Sequence, residues 1–314
     1  MNNSETLRFK ENLFLILFML SLSLIAYGKF LKQSQVPLSP NTPPSLKINN
    51  TTLRFASPPQ DIAALSYVVG EVNSSTILAQ RNARLHLFPA SITKLIAAMI
   101  VMDNFSGEQE VTISDYAVST EGTEGDLHPQ EKIKVKDLLE VMLLPSSNDA
   151  AVAFSEALRK EGKDPLALLR QKIEKLKMKN TAFFDFSGLD RIGNFSTAED
   201  LFLASREIYH HYPLIGEILR KKQSVVFSSD GKYLHSLKNS NILVGKIKEL
   251  WGGKTGTTPE ARGCLLTIYE FPLPHKNDKI VITIVVLDSS DRFQDTLKLY
   301  QWVKDIIYQQ NNQI

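Results

Sequence analysis

Residues 88–103 read FPASITKLIAAMIVMD, and this stretch determines how the rest of the chain is interpreted. Its apolar residues recur at i, i+3, i+4, i+7 and i+8, which is typical of one face of a buried helix. Ser91 and Lys94 stand three residues apart where that helix begins, so their side chains share a face. The spacing therefore places a lysine amine within reach of a serine hydroxyl. The apolar residues are Ile92, Leu95, Ile96, Met99 and Ile100.

A serine beside a lysine is a candidate nucleophile with its own base. A hydroxyl is a weak nucleophile until a base removes its proton, and a lysine with an ordinary pKa near 10.4 stays protonated at neutral pH. Burial and a second cation, for which Lys254 is the candidate, would lower that pKa. Free N–H groups at the start of the helix would stabilise a developing oxyanion. The pattern alone is weak, because Ser229–Lys232 repeats it on a predicted Asp-Gly turn.

Two further short motifs complete a set with the first. Ser146-Ser147-Asn148 follows Pro145 in the bend between two predicted helices, and Lys254-Thr255-Gly256 leads into predicted strands. Ser-x-x-Lys, a serine–asparagine motif and Lys-Thr-Gly form the signature of penicillin-binding proteins and class A β-lactamases. Three motifs in this order, each in a fitting local context, indicate an acyl-transfer site far more strongly than any one of them.

Each residue type in these motifs suits a different part of such a reaction. The Ser146 hydroxyl can pass a proton, and the Asn148 amide can hold a substrate amide bond. Lys254 and Thr255 suit a carboxylate, since both carry hydrogen-bond donors. Gly256 would let a substrate backbone lie along the strand edge without a clash.

Strands at both ends of the folded region, with helices between them, predict an α+β fold. Residues 62–83 are typical of two strands joined by a turn at Asn73–Ser75, and GCLLTIYEF and KIVITIVVLDS of two more around a charged loop at Pro274–Asp278. The final DRFQDTLKLYQWVKDIIYQQ is typical of an amphipathic helix. We therefore expect an antiparallel sheet of N- and C-terminal strands with flanking helices and a helical subdomain inserted at about 104–215. Further helices are expected from Val135, Asp149 and Pro165 and after Ser196–Thr197.

The N-terminus has the features of an export signal. Leu13–Tyr27 carries no charge and follows Arg8 and Lys10, but it is shorter than the roughly 20 residues of a comfortable membrane helix. A Pro- and Asn-rich stretch follows, which is typical of a linker. We expect a signal peptide or N-terminal membrane anchor at 1–30 and a linker at 31–58. The folded part would then lie at the outer face of the bacterial membrane, or in the periplasm or cell wall if the signal is cleaved.

The composition excludes several other classes of function. The net charge is +2, from 36 basic and 34 acidic residues, whereas nucleic-acid-binding proteins usually carry a basic stripe. The single Cys264 excludes an intramolecular disulfide. The six histidines do not fall at His-Glu-x-x-His or a comparable metal-ligand spacing. No metal or cofactor is expected, and the reaction predicted from the motifs needs none.

Longer segments extend the resemblance beyond the three motifs. FPASITKLIAAMIVMD and VKDLLEVMLLPSSNDAAVAFSEAL resemble the nucleophile helix and the Ser-x-Asn region of serine D-Ala-D-Ala carboxypeptidases, the low-molecular-mass penicillin-binding proteins of peptidase family S11. TAFFDFSGLD with FSTAEDL, and SNILVG with WGGKTGTTPEARGCLL, resemble further segments of that family. The similarity runs from about Ile62 to Asp288 and implies a catalytic domain at 59–312 with a β-lactamase/transpeptidase-like fold.

The resemblance also implies a role for each site residue. Ser91 would be acylated, with Lys94 as its general base and Ser146 assisting proton transfer. Asn148 would place the substrate, Lys254 and Thr255 would hold its terminal carboxylate, and Gly256 would lie beside them on the strand. The backbone N–H groups of Ser91 and Thr257 would form the oxyanion hole. The reaction implied is removal of the terminal D-Ala from a peptidoglycan stem peptide, with β-lactams as acylating inhibitors and no nucleic-acid partner.

Three alternatives remain open at this stage. An endopeptidase that cuts D-Ala–diaminopimelate cross-links would use the same acyl-enzyme. A class A-like β-lactamase is disfavoured because NTAFFDFSGLD holds no glutamate for the deacylating water. A non-catalytic wall-binding protein would not need all three of Ser91, Lys94 and Lys254.

Two residues depart from the pattern expected near Lys-Thr-Gly: Trp251, which we expect to pack beneath the strand, and Arg262, which is either a carboxylate ligand or a solvated charge.

Overall fold

The computed structural model describes residues 44–48, 51–123, 125–273 and 279–311. The expected signal or anchor at 1–30 and the charged loop at 274–278 lie outside these ranges. Within them, no helix is long and apolar enough to cross a lipid bilayer. The first described element is a hairpin of β1 (Ser45–Ile48) and β2 (Thr51–Arg54).

This hairpin corrects the expectation of a linker throughout 31–58. Leu46, Leu53 and Phe55 are buried in the core cluster that also contains residues of the terminal helix. The prolines near the hairpin are compatible with it because they precede or follow its strands.

A five-stranded sheet forms the centre of the molecule. Every neighbouring pair of strands is antiparallel. In order across the sheet, the strands are β4 (Ile77–Arg81), β3 (Ser66–Glu71), β11 (Lys279–Ser289), β10 (Arg262–Pro272) and β9 (Leu250–Thr258). The predicted union of N- and C-terminal strands is therefore confirmed, and β9 lies at one edge.

Both faces of the sheet are buried, and alternate residues of β11 face opposite sides. Ile282 and Ile284 join the cluster that packs on the terminal helix, whereas Val281 and Val285 join the cluster under the other helices. Burial on two sides explains why the strand reads as a continuous apolar run rather than an alternating one.

Eight α-helices occur in the described ranges, and those between β4 and β9 form the insertion. The predicted starts at Val135, Asp149 and Pro165 agree with the structure to within one residue; the bounds of the helical subdomain, about 104–215, stay a prediction. The helices are α1 (Thr93–Asn104), α2 (Asp115–Val118), α3 (Val135–Leu143), α4 (Asn148–Lys160), α5 (Pro165–Lys175), α6 (Ala198–His211), α7 (Pro213–Leu219) and α8 (Arg292–Asn311).

Helix α1 differs from its expected one-sided burial. Every residue from Thr93 to Val101 is buried, including Lys94, because the helix runs between the sheet and the inserted helices. A helix enclosed on all sides is apolar all round, so periodicity identifies it without fixing which face meets which neighbour. Two small antiparallel sheets of two strands each were not predicted: β5 (Glu110–Thr112) with β6 (Lys132–Lys134), and β7 (Gln223–Phe227) with β8 (Leu234–Lys238).

Candidate active site

Ser91 lies in a 3₁₀ turn, Ala90–Ile92, directly before α1. Ala90 adopts a positive φ of 49°, a region that side chains other than glycine rarely occupy. Strain of this kind is often found where a reactive group must be held in one orientation. The turn leaves Ser91 partly exposed while Lys94, one turn later, is fully buried.

Lys94 Nζ contacts three oxygen atoms. It lies 2.9 Å from Ser91 Oγ, 2.7 Å from Asn148 Oδ1 and 2.8 Å from the Ser187 carbonyl oxygen. A neutral amine has two N–H donors and one lone pair. The amide and carbonyl oxygens can only accept, so they use the two donors, and the lone pair is left for the Ser91 hydroxyl. When Lys94 is neutral, this geometry allows its amine to accept the proton of the Ser91 hydroxyl.

The Asn148 side chain is fixed from both ends. Its Nδ2 donates to the Glu121 carbonyl oxygen over 2.8 Å, which orients Oδ1 toward Lys94. Gly122, at φ 100°, passes so close that a Cβ there would lie 2.4 Å from Asn148 Nδ2. Asn148 thus reaches Lys94 as well as the cleft, a contact that the sequence did not predict.

Burial lowers the pKa of Lys94 to about 7, whereas the charges of Asp185 and Asp149 act to raise it. The expected depression is present, but its main cause is desolvation rather than the charge of Lys254. The pKa that a neighbouring cation lowers is instead that of Lys254. Burial is the main cause, and the charges of Lys94 and Arg292 add to it, so the pKa of Lys254 lies well below its usual range.

Ser146 and Lys254 form a second polar pair. Ser146 has a φ of 73° in the bend between α3 and α4, and its Oγ accepts from Lys254 Nζ over 2.7 Å. Lys254 Nζ also donates to the Thr255 carbonyl oxygen over 2.9 Å. Next to Ser146, the Ser147 hydroxyl accepts from the Ala150 N–H and caps α4. The bend thus presents Ser146 to the cleft while Ser147 anchors the helix.

Strand β9 packs directly on the nucleophile turn through Gly256. A Cβ at this position would lie 2.9 Å from the Pro89 carbonyl oxygen and 3.1 Å from the Ser91 nitrogen. The expected reason for glycine was room for a substrate backbone; the structure supplies a different one, which is close contact with the turn that carries Ser91. Thr257 follows with an exposed side chain.

Arg292, which the sequence analysis did not single out, reaches this strand from the start of α8. Its guanidinium donates to the Thr257 hydroxyl and, over 3.4 Å, to the Gly256 carbonyl oxygen. Arg262 instead pairs with Asp288 over 2.8 Å and is half exposed, so it is a solvated charge. Arg292 was missed because only the tertiary fold brings α8 beside β9.

The loop after α5 supplies another contact that the motifs did not reveal. Asp185 Oδ1 accepts from the Ser187 N–H, the Ser187 hydroxyl and the Gly188 N–H, at 2.9, 2.7 and 2.7 Å. These bonds hold the Ser187 carbonyl oxygen against Lys94. Gly188 has a φ of 78°, and a Cβ there would lie 2.1 Å from the Ala90 carbonyl oxygen. The FSGLD segment is therefore a wall of the site.

Trp251 packs beneath the strand, as expected. It is 8% exposed, its ring centroid lies 5.1 Å from that of Tyr209, and a Cβ on Gly216 would lie 2.2 Å from the indole. The contacts described above bring the eight predicted site residues together where β9 meets the Ser91 turn and the bend between α3 and α4: Ser91, Lys94, Ser146, Asn148, Lys254, Thr255, Gly256 and Thr257.

Comparison with known proteins supports the same family along most of the chain. A sequence profile of the D-alanyl-D-alanine carboxypeptidase family, peptidase S11, matches residues 52–290. Carboxypeptidase DacF of Bacillus subtilis is 28% identical over 207 residues, which are 64% of this chain and 53% of DacF. The D-alanyl-D-alanine endopeptidase of Pseudomonas aeruginosa is 29% identical over 279 residues, which are 82% of this chain and 86% of the relative.

A solved structure extends the similarity to the fold. Penicillin-binding protein D2 from Listeria monocytogenes, crystallised with ampicillin bound, superposes with a TM-score of 0.63 at 29% identity. The match covers 78% of this chain and 99% of that protein, which confirms the predicted fold class. By profile, fold and relatives together, the chain belongs to the D-alanyl-D-alanine carboxypeptidase family, peptidase family S11.

Proposed function

We propose that this protein is a penicillin-sensitive serine D-Ala-D-Ala carboxypeptidase that removes the terminal D-Ala from peptidoglycan stem peptides. The observation that carries the proposal is the buried Lys94 amine, 2.9 Å from Ser91 Oγ and with a pKa of about 7. An amine that is half neutral at pH 7 serves as a general base, which an ordinary lysine does not.

Acylation starts with attack of Ser91 Oγ on the carbonyl carbon of the penultimate D-Ala. Lys94 takes the hydroxyl proton, and the backbone N–H groups of Ser91 and Thr257 receive the oxyanion. The departing amine of the last D-Ala takes this proton from Lys94 through the Ser146 hydroxyl, which is hydrogen-bonded to Lys254, so Ser146 keeps one proton and Lys94 becomes neutral again. Water then attacks the ester with Lys94 again as base, and the shortened peptide leaves.

The terminal carboxylate of the substrate lies, in this scheme, at Lys254 and Thr255. Burial and two neighbouring cations lower the pKa of Lys254, so this end of the cleft lacks negative charge. A bound carboxylate supplies that charge and raises the pKa of Lys254 again, because an opposite charge favours the protonated amine. Binding of the correct substrate end therefore favours the protonated form of the amine that holds it.

Intact-mass spectrometry after incubation with benzylpenicillin tests the proposal. We expect one penicilloyl adduct per chain, absent in Ser91→Ala. Ser229→Ala is the matched control, since Ser229 begins the second Ser-x-x-Lys sequence on an exposed turn, and it should label as fully as the unmodified protein. Folded protein without an adduct, or an adduct that survives Ser91→Ala, would overturn the proposal.

A cross-link endopeptidase is the second candidate, and one observation favours it. The similarity to the Pseudomonas aeruginosa endopeptidase extends over 279 residues at 29% identity, whereas the similarity to DacF extends over 207 residues at 28%. Parallel digestion of a pentapeptide monomer and a D-Ala–diaminopimelate cross-linked dimer separates the two. Release of free D-Ala from the monomer supports the carboxypeptidase, whereas conversion of dimer to monomers without D-Ala release supports the endopeptidase.

We also propose that the protein acts outside the cytoplasmic membrane, either held there by its N-terminal segment or released into the periplasm or cell wall once that segment is cleaved. The support is the uncharged Leu13–Tyr27 stretch after Arg8 and Lys10. Cell fractionation with N-terminal sequencing tests it. Full-length protein in the membrane fraction indicates an anchor and truncated protein in the periplasm or wall a cleaved signal, whereas full-length protein in the cytosol contradicts the proposal.

A further inference from the structure

Ser240 connects the two sides of the cleft, although none of the three motifs contains it. It follows strand β8, and its Oγ lies 2.6 Å from Thr255 Oγ1 on β9. Its backbone N–H donates to the Leu144 carbonyl oxygen over 3.0 Å, two residues before Ser146. One residue thus joins the Lys-Thr-Gly strand to the bend that carries the second motif.

The residues on either side of Ser240 hold it rigidly. The buried Asn239 side chain donates to the carbonyl oxygens of Leu219 and Lys221, both over 2.9 Å. Its Oδ1 accepts from the Asn241 N–H over 2.8 Å. The backbone is therefore fixed on both sides of Ser240, which places its side chain beside Thr255 in the absence of substrate.

The number of hydrogens fixes the direction of the Ser240–Thr255 bond once a carboxylate is bound. Each hydroxyl has one donor, and a carboxylate has none. If Thr255 donated to Ser240, only its lone pairs would face the carboxylate, and the contact would be repulsive. Ser240 must therefore donate to Thr255, whose own hydrogen then points to the carboxylate. Such a chain also strengthens the outer bond, because hydrogen bonds in series polarise one another.

We propose that Ser240 is a positioning residue that orients the Thr255 hydroxyl as a donor, and that it contributes to selection of substrates with a free terminal carboxylate. The inference rests on the proposed function, since it assigns Thr255 to the substrate's carboxylate. Without Ser240 the Thr255 hydroxyl rotates freely. The site then holds a carboxylate less firmly, and a terminal carboxamide is affected little.

The test compares two thioester substrates that are identical except for a C-terminal carboxylate or carboxamide. The reactive thioester keeps both rates measurable. Ser240→Ala should lower kcat/KM for the carboxylate by about 3- to 10-fold, the usual effect of one hydrogen bond. The loss should appear mainly as a higher KM, as expected when binding is weakened equally before and during the reaction. The carboxamide should change less than about twofold, within the weak limit of a neutral hydrogen bond.

Two variants and one prior measurement make the outcome decisive. Ser240→Thr keeps the hydroxyl and should restore the preference for the carboxylate, and Ser236→Ala, an exposed serine of β8, should change neither rate. Equal loss on both substrates, or no loss on either, overturns the inference. Benzylpenicillin labelling of the unmodified protein is measured first: absence of labelling overturns the proposed function, whereas normal labelling with an unchanged substrate preference in Ser240→Ala overturns only the role of Ser240.

Discussion

Acylation of Ser91 by a penicillin is expected to follow the titration of Lys94. Burial lowers the pKa of Lys94 to about 7, and only the neutral amine accepts the Ser91 proton. At pH 7 about half of the molecules then hold a neutral base, against about one in 2,500 for a lysine with its ordinary pKa near 10.4. Burial therefore raises the fraction of molecules with a neutral base at neutral pH roughly a thousandfold.

Stopped-flow labelling with a fluorescent penicillin between pH 5 and 10 measures this dependence. The second-order rate constant should rise about tenfold per pH unit below pH 6 and level off above pH 8, as a single group of pKa near 7 requires. Lys232→Ala changes the exposed copy of the motif and should reproduce the profile, whereas Lys94→Arg should abolish labelling because a guanidinium keeps its proton.

Two results would refute this reasoning. A rate that keeps rising tenfold per unit up to pH 10 would show that Lys94 titrates as an ordinary lysine despite its burial. A rate independent of pH throughout, with labelling retained in Lys94→Arg, would show that another group removes the proton.

Three other predictions follow from contacts around the site. Asp185→Asn should move the labelling profile to lower pH, because the Asp185 charge acts to raise the pKa of Lys94; an alkaline shift would contradict this. Gly256→Ala should lower the labelling rate at least about tenfold, since its Cβ would lie 2.9 Å from the Pro89 carbonyl oxygen. It should also lower the free energy of unfolding, measured in urea, by about 1–3 kcal/mol, as overpacking does. Unchanged labelling would show that β9 adjusts freely. The free energy of unfolding should rise with pH between about 7 and 9.5 by up to about 1.4 kcal/mol per unit from Lys94 alone. In that range the unfolded chain keeps a proton that the folded one has lost, and the slope should flatten in Lys94→Met.

Local patterns were sufficient to predict the contact between Ser91 and Lys94 but not all of the other contacts around them. Ser91 and Lys94 lie within one helical turn, so spacing alone predicted their contact. The pairing of Ser146 with Lys254 depends on how the inserted helices dock on β9, and no local pattern contains that information. The roles of Arg292 and Ser240 were missed for the same reason.

The hairpin at Ser45–Arg54 was missed although the sequence held a signal. Two short runs, SLKI and TTLR, flank a pair of asparagines, which is a common hairpin pattern. The surrounding prolines outweighed it. The pKa of Lys94 is lowered, as expected, but the main cause is burial. This burial arises because α1 is enclosed on every side, which a one-sided apolar pattern does not predict.

The position of β9 has a consequence for solubility. A strand at the edge of a sheet leaves alternate backbone groups without a partner, and proteins usually protect such edges from pairing with other chains by charges, prolines or coverage. In this strand Trp251-Gly252-Gly253 precedes the motif and Gly256 sits inside it, so the edge carries few side chains that repel another strand. The turn that bears Ser91 covers part of it by contact with Gly256. A peptide lying along β9, as the proposed function requires, would cover the remainder, so peptide binding and resistance to aggregation would then depend on the same strip of backbone.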